Sequence, residues 1–125
     1  MLHWNIDSRK RLVTHTVDGD LTRDEVMAYF DAVTGAEAWS WRKLLDARRC
    51  TPALSPEDLL AIGVRIRAQH ALGRTGPIAI VLPERDSETF SRLLGYIATD
   101  NRPMRVFRAL GPARQWIEAQ QIDAA

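Results

Sequence analysis

Leu2, Trp4 and Ile6 alternate with His3 and Asn5, the period-two pattern of a half-buried strand. Asp7-Ser8-Arg9-Lys10 makes a polar hairpin turn, and residues 12–17 form a second strand with Val13, His15 and Val17 on one face. Asp18-Gly19-Asp20 breaks that strand. Thr22, with Glu25 three residues on, has the form of a capping box. The helix behind it carries Val26, Tyr29, Phe30 and Val33 at i, i+3, i+4 and i+7, and Gly35 is its stop. Lys43-Leu44-Leu45-Asp46-Ala47 is a short central strand, and residues 48–54 are a loop.

Ser55-Pro56-Glu57-Asp58 is a strong helix start, with Ser as N-cap, Pro at the first helical position and acids in the first turn. Leu59, Ile62, Gly63, Ile66 and His70 form its inner face, and Gly73 and Gly76 end it. Residues 77–82 are almost wholly apolar, as in a strand covered on both sides. A helix over 86–98 turns Phe90, Leu93, Leu94 and Ile97 inward. Met104-Arg105-Val106-Phe107 is the last strand, and Gly111-Pro112 opens a last helix bearing Trp116 and Ile117. The tail Asp123-Ala124-Ala125 is expected to fray. The order β-β-α-β-α-β-α-β-α predicts an α/β sandwich. Its sheet should have five strands, mixed but mostly parallel, with helices chiefly on one face.

Length and composition narrow the function more than the fold. The 125 residues suit one domain spanning 1–125, long enough for a core without disulfides. Apolar residues make up 46% and the net charge is +1, so no global field draws nucleic acid or an anionic membrane. No apolar run is long enough for a membrane span, and no secretory leader is evident, so a cytoplasmic location is expected. One cysteine, Cys50, cannot form an internal disulfide or a thiolate metal site. Only Lys10 and Lys43 among the 17 basic residues are lysines.

The segments "DGDLTRDEV", "KLLDARRC", "GPIAIVLP" and "MRVFRALGPARQWIE", in this element order, resemble the SpoIIAA-like family, whose members share the fold of STAS domains and anti-sigma-factor antagonists. The resemblance covers nearly the whole chain. It implies a regulatory module that acts through protein contacts. In the family's antagonists a kinase phosphorylates a serine in an Asp-Ser-Ser-Gly motif where the helix after the third strand begins. Here that region reads Leu54-Ser55-Pro56-Glu57-Asp58. With Leu59 matched to the apolar residue that closes the motif, the acceptor position falls on Pro56 and its neighbour on Glu57, and neither takes phosphate. Ser55 is better employed as the N-cap. The expectation is therefore an interaction module without the phosphoserine switch.

The chemistry-bearing residues are few. Arg48 and Arg49 follow a strand and precede a helix N-terminus, where α/β folds bind anions, although solvated surface arginines are the plainer reading. Cys50 would need a neighbour that lowers its pKa to be reactive; a buried apolar thiol is commoner. His3, His15 and His70 match no metal spacing. Glu84, Asp86 and Glu88 sit where acids favour a helix dipole. No Gly-x-Gly-x-x-Gly, Walker or Gly-x-Ser-x-Gly pattern occurs, so no cofactor, metal or catalytic set is expected and the chain is read as non-enzymatic.

Two readings follow. In the first, an unidentified protein partner binds around Arg48, Arg49, Thr51, Ser55 and Glu57. In the second, Trp39, Trp41, Phe90 and Tyr96 line a helix–sheet cavity for a small, lipid-like apolar ligand, or form an interface. The exposed sheet edge and the Trp pair offer two routes to a homodimer.

Overall fold

The computed structural model describes residues 1–98 and 102–121, so the tail expected to fray lies outside the described residues. Five strands form one sheet in the order β1-β2-β3-β4-β5: β1 (Leu2–Asp7), β2 (Leu12–Leu21), β3 (Arg42–Pro52), β4 (Ile78–Val81) and β5 (Met104–Phe107). β1 runs antiparallel to β2, and every other neighbouring pair is parallel. The helices are α1 (Arg23–Gly35), α2 (Pro56–Leu72), α3 (Glu88–Ile97) and α4 (Leu110–Ala119). Their order is the one the hydrophobic pattern predicts. No helix among the described residues is long and apolar enough to cross a membrane.

Strand pleating divides the core in two. Val13 and Val17 of β2, Leu45 and Ala47 of β3, and Ile78 and Ile80 of β4 face the layer built by α1, α2 and α3. Leu12, Leu44, Ala79 and Val81 face the other way, onto Ala113 and Ile117 of α4. All four residues of β4 are buried, as a strand covered on both faces must be.

The helix starts are local chemistry. Thr22 Oγ1 accepts from the Glu25 amide while Glu25 Oε1 accepts from the Thr22 amide at 3.2 Å. Ser55 and Asp58 repeat this box at α2, at 3.1 and 2.9 Å. Glu25 Oε2 also accepts from the Leu2 amide at 2.6 Å and so ties α1 to β1. Burial works against ionisation of Glu25, but the bonds from Leu2 and Thr22 outweigh it and hold its pKa below the usual value.

Two strands outrun the local sequence signals. β2 continues through Asp18-Gly19-Asp20, which pair with Arg49, Cys50 and Thr51 of β3. The expected break is a register shift between Thr16 and Asp18, with Gly19 at φ 78°. Glycine takes that left-handed conformation at little cost, so the strand bends there and goes on. Residues 48–52, expected in a loop, are therefore strand. The gain from parallel pairing overrides the turn propensity of the Asp-Gly-Asp step.

Candidate functional site

A cavity of about 70 Å³ lies between the sheet and the three-helix layer. Its walls are largely apolar: Val17 and Leu45 from the sheet, Val26 and Phe30 from α1, Ile66 from α2, and Phe90, Leu93 and Ile97 from α3. Trp39 closes one side. Four polar side chains also reach it: His15, Tyr29, Lys43 and Arg102. No carboxylate among the described residues does.

The pattern of the chain explains how they come to be inside. His15 stands between Val13 and Val17 on the inward face of β2, and Lys43 is two residues from Leu45 on the inward face of β3. Tyr29 belongs to the apolar stripe of α1. The His15 and Tyr29 rings are stacked, with centroids 4.6 Å apart and planes 12° apart. His15 Nε2 and the Tyr29 hydroxyl are buried with no hydrogen-bond partner among the described residues. A buried polar atom left unpaired is costly, on the order of 1–3 kcal/mol, so each such atom calls for an explanation.

The two cations are tied to backbone. Lys43 Nζ donates to the carbonyl of Trp39, to Trp41 O at 2.9 Å and to Thr75 O at 2.7 Å, which uses all three ammonium donors. Arg102 donates through Nε to Gly76 O at 2.7 Å and through Nη2 to Thr75 O at 3.3 Å. The Thr75 carbonyl thus serves both cations, and no carboxylate among the described residues pairs with either. Gly76, at φ 76°, makes the tight approach possible: a side chain there would run into the Ser40 and Trp41 carbonyls.

Electrostatics follow from this arrangement. Burial, then the charges of Lys43 and Arg102, push His15 down to about 3, so its ring is neutral. Burial and Arg102 lower Lys43 well below an ordinary lysine. Burial lowers Arg102 to about 10. Burial raises Tyr29, whose hydroxyl keeps its proton.

Of the residues expected to line an apolar pocket, Trp39 and Phe90 do so. Trp41 is half-buried and packs on the core, contributing its carbonyl to Lys43. Tyr96 packs against Gly63 where α3 meets α2, outside the cavity wall.

The second cluster lies at the C-terminal end of β3. Arg48, Arg49 and Thr51 share an open groove of about 420 Å³ with Glu84, Arg85 and Asp86. Arg48 holds Asp46 with two side-chain bonds, Nε to Oδ1 at 3.0 Å and Nη2 to Oδ2 at 2.8 Å. The Arg48 hydrogen bond keeps the Asp46 carboxyl below its usual pKa despite burial. Arg49 and Thr51 are exposed. Ser55 and Glu57 are exposed at the start of α2, outside that groove. Cys50 lines the groove, but burial pushes its thiol up to about 11. His3 faces Thr16 across the hairpin, while His15 faces Trp4, so these two histidines do not meet.

The sequence reading missed the polar side of the cavity. His15 had a signal, a titratable residue in an otherwise apolar inward face. Lys43 had one too, opening a buried central strand. Arg102 had none, because loop 73–77 and the turn before β5 bring it in.

A five-stranded mixed sheet with this strand order and a three-helix layer over one face defines a class, the STAS-domain fold, and this chain has it. It is similar to the solved structure of the anti-sigma factor antagonist SpoIIAA in its unphosphorylated form, with a TM-score of 0.59 and 13% identity over 96% of this chain and 100% of that one. At that identity the likeness speaks for the fold. No family model and no curated protein matches the chain.

Proposed function

We propose that the chain is a non-enzymatic STAS-fold module that binds a small, mainly apolar molecule in the cavity between its sheet and helices. The observation that carries this reading is the cavity itself: apolar walls, lined also by His15 and Tyr29, whose buried polar atoms have no partner among the described residues. Such pockets, apolar with a few placed polar groups, are the usual form of small-molecule sites. The reading is non-enzymatic because the buried titratable groups are placed badly for proton transfer. A general acid or base works best with a pKa near the working pH. His15 is held to about 3 and Cys50 to about 11, and the Lys43 ammonium is fully engaged by carbonyls. Native mass spectrometry of the purified protein is the test. A reproducible added mass on the folded species, lost on denaturation, is the expected result; a clean protein mass after exposure to candidate ligands would reject it.

A second reading, a protein-interaction surface, has its own observation. Leu60 and Val64, one turn apart on α2, are each 57% exposed. They continue the surface that Ser55 and Glu57 begin, next in the chain to Arg48, Arg49 and Thr51. An apolar strip beside mixed charge is a common form of interface. Pull-down with the wild type and with the Arg48→Ala, Arg49→Ala double variant tests it: a partner retained by the variant removes the arginines from the site. A homodimer belongs to the same proposal, through the open edge of β1 or β5, and light scattering during gel filtration reads it directly.

A further inference from the structure

Both charged groups lining the cavity are cationic, and among the described residues both are bound to carbonyl dipoles alone. Removing an ion from water costs several kcal/mol per charge, and backbone carbonyls return part of that while leaving the charge unbalanced. Lys43 and Arg102 add to each other's cost, since they meet at one carbonyl, that of Thr75. Two residues of the cavity lining, Tyr29 and His15, each carry a buried polar atom with no partner among the described residues. Tyr29 Oη carries a proton to donate, and His15 Nε2 donates in the tautomer that bears its proton there. Both side chains are more than nine-tenths buried, His15 at 7% and Tyr29 at 5% exposure. Arg102 spends only Nε and Nη2 on carbonyls, out of five N–H donors. Among the described residues, donors without acceptors and cations without an anion line one apolar cavity, and together they describe the complement of a carboxylate.

The volume sets the rest of the molecule. About 70 Å³ holds several waters, at roughly 10–15 Å³ each, but falls well short of the roughly 300 Å³ of a drug-sized site. A chain of a few carbons fits against Phe30, Phe90 and Leu93; a long acyl chain does not.

Resting on the cavity reading above, we infer that the ligand is a short-chain monocarboxylate, its carboxylate accepting from Tyr29 Oη and His15 Nε2 and facing the charges of Lys43 and Arg102, its alkyl chain against α1 and α3. Charge-assisted bonds of this kind are roughly twice as strong as neutral ones. The head group therefore supplies the selectivity, and the apolar wall sets the chain length.

The test is titration of the isotope-labelled protein, followed by two-dimensional NMR, with acetate, butyrate, hexanoate and decanoate. The matching primary alcohols and inorganic phosphate run in parallel. Butyrate or hexanoate is expected to bind best, about tenfold tighter than its alcohol, with shifts at Tyr29, His15 and Phe90. Tyr29→Phe keeps the stacked ring and the wall, so it is expected to weaken the carboxylate severalfold and leave the alcohol unchanged. Lys43→Met tests the charge but risks the fold; Tyr29→Phe and Arg102→Gln keep the inference falsifiable. Equal affinity for acid and alcohol would overturn the carboxylate while leaving the cavity reading intact. Phosphate binding as well as butyrate would overturn the organic part of the assignment. No binding by any probe to a protein with a well-dispersed spectrum, and ordered water alone on Tyr29 and His15, would overturn both readings.

Discussion

The His15 ring lies flat on the Tyr29 ring, 4.6 Å between centroids, and each ring carries a buried polar atom with no partner among the described residues. Stacking and apolar packing hold the two side chains in place, so their polar ends are fixed before any partner arrives. Pre-organisation of this kind lowers the cost of binding, because no side chain must be ordered afterwards. It also makes the pair an element whose behaviour depends on pH.

His15 stays neutral in the folded protein, with its pKa lowered to about 3 by burial first and then by Lys43 and Arg102, against 6.5 when unfolded. Between those values the unfolded chain binds the extra proton. Stability therefore falls as the pH drops through 6.5 towards 3, by up to about 1.4 kcal/mol per pH unit. The Tyr29 hydroxyl, Lys43 and Arg102 face the ring, and the lowered carboxyls of Glu25, Asp46 and Asp58 lose their contribution only at the acid end of that window. Urea unfolding near pH 7 and near pH 5 separates the two. His15→Leu is expected to flatten the difference between these conditions; an unchanged slope would place the titration elsewhere.

Lys43 joins two segments through three carbonyls: Trp39 and Trp41 from the stretch before β3, and Thr75 from the loop before β4. Lys43→Met preserves most of the volume, takes the lysine's bond from the Trp39 and Trp41 carbonyls and leaves the Thr75 carbonyl to Arg102, two of the three lost bonds lying wholly buried. The expected loss is roughly 3 kcal/mol or more, because the penalty for a stranded polar group exceeds the net worth of the bond. Lys43→Arg should recover little of it, since a planar guanidinium does not point three ways from one atom. A loss below about 1 kcal/mol on urea unfolding would show that water replaces the ammonium.

The legible parts of this molecule were those encoded locally. The Thr22 and Ser55 boxes, the α1 stripe of Val26, Tyr29, Phe30 and Val33, and the doubly covered β4 depend on spacing within one element, and each appears where the pattern puts it. Asp18-Gly19-Asp20 misled because a bulge and a turn use the same residues, and only pairing with Arg49, Cys50 and Thr51 decides between them. The cavity was legible in part: Trp39 and Phe90 are apolar wall and announce themselves, whereas Tyr96 is taken up by Gly63. Lys43 and Arg102 meet only through the Thr75–Gly76 turn, a contact across segments that no periodicity encodes.

Gly63 sits on the inner face of α2, and the Tyr96 ring of α3 occupies the space a side chain would need. Gly63→Ala gains helix propensity, about 1 kcal/mol at most, but the new methyl overlaps the ring, and overpacking of that kind costs roughly 1–3 kcal/mol. Net destabilisation is expected. Tyr96→Leu in the same chain should relieve it, so the double variant will be more stable than the sum of the single changes implies. Additivity across the cycle would mean that the two helices already separate freely at this point.

Cys50 is the last place where reactivity can be judged from structure. It lies on β3 beside Arg48 and Arg49, a setting that by charge alone would favour a thiolate. Burial comes first and outweighs the lowering effect of the N-terminal ammonium, pushing the thiol up to about 11. At about pH 8 the thiolate fraction is then on the order of a thousandth, against roughly a quarter for an exposed cysteine. Modification by a disulfide reagent should therefore be slow in the native protein by two orders of magnitude or so, and fast in urea. Since the buried thiol must first be uncovered, the rate should track stability: Lys43→Met should speed it, and a ligand in the cavity should slow it by mass action. Native-state labelling as fast as a free thiol would mean that the end of β3 opens independently of the core, and would return the groove at Arg48 and Arg49 to consideration as a reactive site.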